Sequence, residues 1–168
     1  SSFYPAADVR TAELDEMVGC DAIVVAAGRG GGPEQSRLDL LRDNAAVARD
    51  VGARLADTRG IIVVVANPVD VMTQLVVETS GLPPERVLGT GTMLDTARLR
   101  QVLGRELGLE PRSIHGQVIG EHGDSEVVLW SAVEIGGRRL RDLPRWDRAR
   151  EPTVATEVRR AATEIIRR

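Results

Sequence analysis

Two short apolar runs without alternation constrain the fold of this chain more than any other feature. They are AIVVAA at residues 22–27 and IIVVVA at residues 61–66. Such runs are typical of strands that are buried on both faces of a parallel sheet. Between them, apolar residues recur at the helical spacings of three and four: Leu38, Leu41, Ala45, Ala48, Val51 and Leu55. The sequence therefore predicts a right-handed βαβ unit and the α/β fold class.

The segments after the second run predict further elements. A helix is expected to end near Ser80 and Gly81, followed by a short strand at residues 87–92. A second helix should follow, and most of its apolar face is expected from Leu94, Ala97, Val102, Leu103 and Leu107. The remaining predicted elements are a strand at 114–119, the loop EHGDS, a strand at 126–135, a turn at IGGRRL and a helix at 151–168.

The composition excludes several function classes. The formal net charge is −3, so we predict no nucleic-acid-binding and no membrane surface. All 22 basic residues are arginine, which excludes a lysine nucleophile or Schiff base. The single Cys20 has no partner for an internal disulfide and is predicted to be a small buried residue. No signal peptide or membrane span is recognised, and we expect a cytoplasmic protein.

The glycine-rich stretch GRGGGP at residues 28–33 lies between a predicted strand and a predicted helix, where dinucleotide-binding loops occur. Its spacing does not fit G-x-G-x-x-G, because Pro33 stands where the last glycine is needed. A Walker loop would need a lysine, and no acidic residue ends the second strand to bind a ribose. We therefore expect these residues to lack the phosphate-binding half of a nucleotide site.

Four charged residues are informative only in combination. Asp95 and Arg98 lie three apart on a predicted helix and share a face, as many surface ion pairs do. His122 lies in the predicted loop EHGDS, and Arg37 opens the predicted helix after the glycine-rich stretch. Each has an ordinary structural explanation when it is considered alone.

The segments that carry these residues resemble one family, the L-lactate/malate dehydrogenases, and particularly its bacterial lactate branch. The segments are SRLDLLRDN (36–44), VANPVDV (65–71), SGLPPERVLGTGTMLDTARLR (80–100) and VIGEHGDSEVVLWS (118–131). The resemblance implies the second half of a doubly wound, Rossmann-type parallel sheet in residues 1–89. Residues 90–168 would then begin an α+β substrate domain. The implied activity is hydride transfer between L-lactate or pyruvate and NAD.

The resemblance also implies a role for each charged residue. His122 matches the acid/base that takes the hydroxyl proton while hydride leaves the same carbon, and imidazole exchanges protons near neutral pH. Asp95 matches the carboxylate that fixes the tautomer of the histidine. Arg98 matches the residue that holds the substrate carboxylate by a two-pronged contact. Arg37 matches the arginine of a mobile loop that closes over the substrate and polarises its carbonyl oxygen.

Four other residues match cofactor-binding positions of the family: Gly28, Asn44, Asn67 and Thr90. Asn67, in an asparagine-proline step, is expected to hydrogen-bond near the nicotinamide carboxamide and to contact the substrate. Thr90 stands where the lactate branch usually has a serine beside the nicotinamide ring.

The position that sets substrate specificity in the family is occupied by Gly31. Lactate enzymes usually have glutamine there, and malate enzymes have arginine, so a glycine supplies neither. Arg29 lies nearby in sequence, and malate dehydrogenase or another 2-hydroxy acid dehydrogenase stays open as an alternative. The stretch GTGT at residues 89–92 favours the lactate branch.

Two residues match a regulatory site. Arg100 and His115 correspond to positions at which many bacterial lactate dehydrogenases bind fructose 1,6-bisphosphate across a subunit interface. The alternative is a helix-surface arginine and a strand histidine without a ligand. The resemblance further implies a homo-oligomer, a dimer or tetramer, when the enzyme is full length.

Three alternatives concern the chain as a whole. The expected glycine-rich motif at the N-terminus and the end of the substrate domain are missing, so we expect an incomplete fragment that is inactive alone. A non-catalytic remnant of the fold is a second class of function. A metal-binding module is a third, but His115, His122 and Cys20 do not make a ligand set, so no metal is expected.

Overall fold

The computed structural model describes residues 8–30 and 37–166, and the side chains of residues 8–30 and 39–161. Gly31 and the side chain of Arg37 lie outside this part. The chain divides into two compact units, Ser1–Gly89 and Thr90–Arg168, here called the N-terminal unit and the C-terminal unit. No described helix has the length and apolar character needed to cross a membrane.

A parallel three-stranded sheet forms the centre of the N-terminal unit. Its strands are β1 (Ala22–Val25), β2 (Ile61–Val64) and β3 (Val87–Gly89), in that order across the sheet. Helix α1 (Arg37–Arg54) joins β1 to β2, and α2 (Val69–Ser80) joins β2 to β3. Parallel neighbours need such long crossovers, so the predicted βαβ unit and the α/β class are confirmed.

Within residues 8–30 and 37–166, only one face of this sheet is buried. The buried side chains of the strands share one apolar core with α1 and α2: Ile23, Val25, Ile62, Val64, Val87, Ala48, Val51, Leu55, Met72 and Val76. On the other face Val24 is 65% exposed and Leu88 is 46% exposed, and Val63 lies between them in register. The prediction that both faces are buried is therefore wrong here, because both helices join the core of a single face.

Glycines mark two of the boundaries in this unit. Helix α2 ends at Gly81, whose φ of +65° is left-handed and whose N–H donates to the carbonyl of Val77. Gly60, immediately before β2, lies in close contact with the backbone of Cys20. An added Cβ would lie 2.2 Å from the carbonyl oxygen of Cys20. Cys20 itself is exposed, contrary to prediction, because it lies before β1 rather than within it.

The C-terminal unit combines two long helices with two small antiparallel sheets. The helices are α3 (Met93–Leu107) and α4 (Glu151–Ile166). One sheet has the order β4-β7-β8 and the other pairs β5 with β6. The strands are β4 (Ile114–His115), β5 (Val118–Ile119), β6 (Val127–Val128), β7 (Glu134–Ile135) and β8 (Arg138–Arg139). Gly136 and Gly137, both at positive φ, form the tight turn between β7 and β8, as the sequence predicts.

The two strands predicted in this unit are each divided between the sheets. Residues 114–119 split into β4 and β5, with Gly116 packed against Leu99 and Val133 at the break. Residues 126–135 split into β6 and β7 around a short 3₁₀ turn. The chain changes sheets at both breaks, and a continuous apolar pattern does not reveal such a change.

Helix α3 faces the interior differently from the prediction. Leu94 is 60% exposed and Ala97 is also exposed, whereas Asp95 and Leu99 are buried. Val102 and Leu103 are buried as expected. The helix therefore turns its acidic residue inward at its N-terminal end, which is where the candidate site lies.

Candidate active site

Asp95 is the centre of the candidate site, and it is 1% exposed. Its Oδ1 accepts a hydrogen bond of 2.8 Å from Nη1 of Arg98, one turn along α3. Its Oδ2 lies 2.5 Å from Nδ1 of His122. Both carboxylate oxygens are thus engaged by groups that favour the ionised form, which is the usual condition for burying such a charge.

Two threonines hold the start of α3 against β5. The hydroxyl of Thr92 donates to the carbonyl of Val118 at 2.6 Å, and the hydroxyl of Thr96 accepts from the N–H of Val118 at 3.0 Å. Because His122 follows β5 by only three residues, these bonds fix the helix that carries Asp95 against the strand that leads to the histidine.

The loop between β5 and β6 positions the imidazole. It begins at Gly120, whose φ of +92° disfavours a side chain, and it is closed by the N–H of Glu126 donating to the carbonyl of Gly123. The hydroxyl of Ser125 donates to Oε2 of Glu121 on the outer side of the loop. His122 is anchored through its Nδ1 to Asp95. Its side chain is 21% exposed, so the imidazole is still accessible.

Glu126 is a part of the site that sequence reasoning missed. It is 4% exposed, and a carboxyl oxygen of Glu126 lies within 4.8 Å of a carboxyl oxygen of Asp95. Burial, followed by the neighbouring charge of Asp95, raises the pKa of Glu126 to about 7. The available signal was its position, four residues after His122 at the start of an apolar strand, where a carboxylate is unusual.

Asp95, His122 and Glu126 each bring a ligand atom within 4.8 Å of the others, a spacing that a cation can bridge. However, the two oxygens of Asp95 already bond to Arg98 and His122. A cation would have to displace one of these partners, so we do not assign the three residues as metal ligands. A proton shared between the two carboxyl groups fits the arrangement without displacing anything.

In the N-terminal unit, Asn44 joins two loops at the carboxyl ends of β1 and β2. It is 1% exposed, and its Oδ1 accepts from the N–H of Arg29 at 2.7 Å. Its Nδ2 donates to the carbonyls of Arg29 and Asn67. Gly28 packs against the same side chain, since an added Cβ would lie 3.4 Å from Oδ1 of Asn44. Ligands of open parallel sheets bind at this edge, so the arrangement fits a nucleotide cofactor.

The other predicted site residues are less connected. Thr90 is partly buried at the start of the C-terminal unit, where its carbonyl accepts from the N–H of Met93. Arg100 lies on α3 with its Nε buried and without a hydrogen-bond partner within the described part of the chain. His115 is exposed on β4. Arg37 is the first residue of α1, and its side chain, like Gly31, lies outside the described residues.

A parallel sheet whose carboxyl-end loops fit a nucleotide, and a partly buried imidazole–carboxylate–guanidinium set, are both features that occur in nucleotide-dependent dehydrogenases. Family comparison makes this specific. Residues 3–89 match the model of the lactate/malate dehydrogenase NAD-binding domain, and residues 92–168 match that of the lactate/malate dehydrogenase alpha/beta C-terminal domain. The chain therefore belongs to the lactate/malate dehydrogenase family, which confirms the resemblance found in the sequence.

Individual relatives agree with this assignment. An L-lactate dehydrogenase from Synechococcus sp. (strain JA-3-3Ab) is 46% identical over 159 residues, covering 93% of this chain and 52% of the relative. One from Thermus aquaticus is 44% identical over 168 residues, covering 94% of this chain and 53% of the relative.

Solved structures give the same result. The ligand-bound minor L-lactate dehydrogenase from Enterococcus mundtii superposes with a TM-score of 0.88 at 39% identity, covering 94% of this chain and 52% of that structure. The malate dehydrogenase from Picrophilus torridus superposes with a TM-score of 0.82 at 35% identity, covering 92% and 48%. The chain spans about half the length of the relatives it matches.

Proposed function

We propose that this chain carries the acid–base centre of an NAD-dependent L-lactate dehydrogenase, which interconverts L-lactate and pyruvate. The observation that supports the proposal most is the double engagement of Asp95, by Arg98 through Oδ1 and by His122 through Oδ2. A buried carboxylate at Nδ1 makes the opposite ring nitrogen, Nε2, the one that exchanges a proton with a substrate.

The chemistry follows from this orientation. In the direction of lactate oxidation, Nε2 of His122 accepts the hydroxyl proton, and the imidazolium is stabilised by the carboxylate of Asp95 at 2.5 Å. NAD, held by the proposed cofactor-binding residues, would supply the acceptor for the hydride that leaves the same carbon. In pyruvate reduction His122 returns the proton to the carbonyl oxygen. Arg37 is proposed, from the family resemblance, to polarise that oxygen.

Arg98 is proposed to hold the substrate carboxylate. One of its five N–H donors is used on Asp95, which orients the planar guanidinium, and its side chain is 18% exposed. The remaining donors suit a two-pronged contact with a carboxylate. Gly28 and Asn67 of the N-terminal unit, and Thr90, the first residue of the C-terminal unit, are proposed to contact the cofactor. The buried Asn44 is proposed to act by holding the Gly28 and Asn67 loops together.

Histidine variants in the longer protein that contains this chain test the proposal. His122→Asn should abolish pyruvate reduction while leaving NADH binding nearly unchanged, because only the proton donor is removed. His115→Asn is the matched control, since His115 is the other histidine of the chain and lies exposed on β4. A His122 variant with near-normal kcat would overturn the assignment and leave a non-catalytic role for the fold.

Malate dehydrogenase is the second candidate, favoured by the Picrophilus torridus structure among the matches and by the absence of glutamine at Gly31. Steady-state kinetics with pyruvate and with oxaloacetate separate the two. We expect the higher kcat/KM with pyruvate, because no cationic side chain replaces Gly31 to pair with a second carboxylate.

A regulatory phosphate site is proposed at Arg100 and His115, with fructose 1,6-bisphosphate as the ligand and a homo-oligomer, dimer or tetramer, as the assembly. The Nε of Arg100, which has no hydrogen-bond partner within the described part of the chain, supports it, because a buried N–H without an acceptor favours an added anionic partner. Titration with fructose 1,6-bisphosphate should raise activity and shift the ring signals of His115, and inorganic phosphate at the same concentration is the control.

We also propose a cytoplasmic location. Cys20 is exposed and is the single cysteine of the chain, so it has no internal disulfide partner. Free thiols on a protein surface are typical of reducing compartments. Thiol titration of the protein isolated under anaerobic conditions should find this cysteine reduced.

A further inference from the structure

We propose that Glu126 is a positioning residue for the His122–Asp95 pair, acting as a neutral carboxylic acid whose O–H donates a hydrogen bond to Asp95. The proposal deepens the proposed function, since it concerns how the acid–base pair is held. The two carboxyl groups are buried with oxygens within 4.8 Å of each other, and two carboxyl groups this close do not readily ionise together. Asp95 is the one that must be ionised for Arg98 and His122.

The geometry identifies which carboxyl keeps the proton. Asp95 accepts from two donors, whereas Oε1 of Glu126 is buried and has no partner within the described part of the chain. A buried oxygen without a donor disfavours a negative charge on its carboxyl group. The proton therefore resides on Glu126.

The surrounding charges agree with a neutral Glu126 that is sensitive to pH. Asp95 from α3 raises its pKa, and His122 in the loop and Arg159 on α4 oppose this effect, with the resulting value about 7. Arg148 and Glu151 line the open cleft of about 350 Å³ that borders Glu126. Near neutral pH, a single proton on Glu126 therefore decides whether Asp95 has a third hydrogen-bond donor besides Arg98 and His122.

The consequence is a carboxylate fixed at three points rather than two. Arg98, His122 and Glu126 approach Asp95 from α3, from the β5–β6 loop and from the residue just before β6. With Glu126 protonated, the orientation of Oδ2 toward Nδ1 is held from both sides. With Glu126 ionised, that bond is lost and two anions lie side by side, so the His122–Asp95 contact loosens.

Nuclear magnetic resonance of the 168-residue chain tests this without substrate or cofactor. The chain has two histidines, so the ring signals of His122 can be compared directly with those of exposed His115. The carboxyl carbon of Glu126, followed by ¹³C labelling of glutamate, should report a protonated acid on the acidic side of about 7. The solvent exchange of the Nδ1–H of His122 reports how firmly Asp95 is held.

Three variants make the expected results specific. Glu126→Gln keeps a neutral donor that cannot ionise. The Nδ1–H exchange of His122 in this variant should therefore match that of the wild type with Glu126 protonated. Glu126→Met keeps the volume without a donor and should speed that exchange roughly tenfold, as for one lost hydrogen bond in a buried network. Asp124→Asn removes an exposed carboxylate of the same loop and should have no effect.

A Glu126 that is already ionised midway between its ordinary pKa of 4.5 and about 7, or a Met variant with the exchange rate of the wild type, would overturn the proposal. The ¹³C measurement on the carboxyl group of Glu126 needs no variant, so it tests the proposal even if the Glu126→Met protein does not fold. Failure of the proposed function is distinguishable, because a longer protein without pyruvate reduction would leave both measurements on Glu126 unaffected.

Discussion

The two units of this chain bury different kinds of polar residue. The buried polar side chains described in the N-terminal unit are neutral, namely Asn44, Thr58 and Ser80, whereas those in the C-terminal unit are the carboxyl groups Asp95, Glu126 and Glu151. Neutral groups join loops and helix ends by hydrogen bonds that do not change with pH. Buried carboxyl groups need cations or protons, so the buried groups whose charge can change with pH lie, among the described residues, in the C-terminal unit.

Replacing Asp95 should give the largest effect on this comparison. Asp95→Asn removes the counter-charge of Arg98, whose side chain is only 18% exposed, and should lower the free energy of unfolding of the C-terminal unit by about 3–5 kcal/mol. Urea denaturation followed by tryptophan fluorescence measures it, because both tryptophans, Trp130 and Trp146, belong to this unit.

The matched control is a surface ion pair of the N-terminal unit. Asp43→Asn breaks the contact of 3.3 Å between Asp43 and Arg29, whose side chains are 42% and 73% exposed. It should cost less than about 1 kcal/mol, because water and salt screen such a pair. Equal losses for the two variants would mean that burial of Asp95 adds nothing to the strength of its contacts.

A glycine substitution should give the next largest effect, this time in the N-terminal unit. Gly60→Ala places a Cβ 2.2 Å from the carbonyl oxygen of Cys20 and 2.4 Å from that of Asp21, and backbone must shift to relieve the overlap. We expect a loss of roughly 1–3 kcal/mol, measured by amide hydrogen exchange in β2. Gly30→Ala, with no atom within 4 Å of the added Cβ, is the control.

This variant also tests whether the units respond separately. If Gly60→Ala lowers protection in β2 and leaves the denaturation midpoint seen by tryptophan fluorescence in place, the units unfold independently. If the midpoint seen by tryptophan fluorescence falls along with the protection of β2, the two units unfold together. The two units would then differ in which polar residues they bury but not in their stability.

The elements that the sequence predicts well are those specified by local periodicity. The parallel strands β1 and β2 and the helices between the strands follow from apolar spacing within single segments. The division of residues 126–135 between two sheets depends on pairing with distant strands, which no local pattern encodes. The exposure of Val24 likewise depends on which face the helices cover.

The candidate site shows the same limit at the level of side chains. The spacing of Asp95 and Arg98 predicts a shared helix face, and the structure brings both to the neighbourhood of His122. The periodicity of α3 nevertheless favours Leu94 as the inward residue, because a carboxylate is normally exposed. Glu126 was missed for the same reason, since its burial is a property of the folded unit and not of its neighbours in sequence.

Changing pH should have a smaller effect, confined to the C-terminal unit. Glu126 ionises near its ordinary pKa of 4.5 when unfolded but at about 7 when folded, so between these values the folded state holds one more proton. Stability contributed by Glu126 is therefore full at the acidic end and is lost as pH rises through this interval. Tryptophan-detected urea midpoints should fall across it in the wild type and change less in Glu126→Gln.

Glu151 provides an internal reference for the same measurement. Its pair of hydrogen bonds from Arg141, at 2.9 Å and 2.6 Å, lowers the pKa of Glu151 below its ordinary 4.5. Its contribution is thus constant at higher pH and is lost only as pH falls below that value. An identical pH dependence in the wild type and in Glu126→Gln would show that Glu126 is ionised in the folded unit.

The smallest effect is expected on the open face of the parallel sheet. Val24→Thr exchanges a methyl group for a hydroxyl on a side chain that is 65% exposed, and it should change stability by no more than about 0.5 kcal/mol. Val25→Thr places the same hydroxyl in the core, where Val25 is 5% exposed, and should cost about 1–3 kcal/mol because the new hydroxyl lacks a partner. Hydrogen exchange in β1 measures both variants. Because the two residues are adjacent on one strand, strand propensity cancels and the difference isolates the covering of each face. Equal losses of stability would show that both faces of the parallel sheet are buried in solution, as the apolar runs predict. The face that carries Val24 would then be covered like the face that carries Val25.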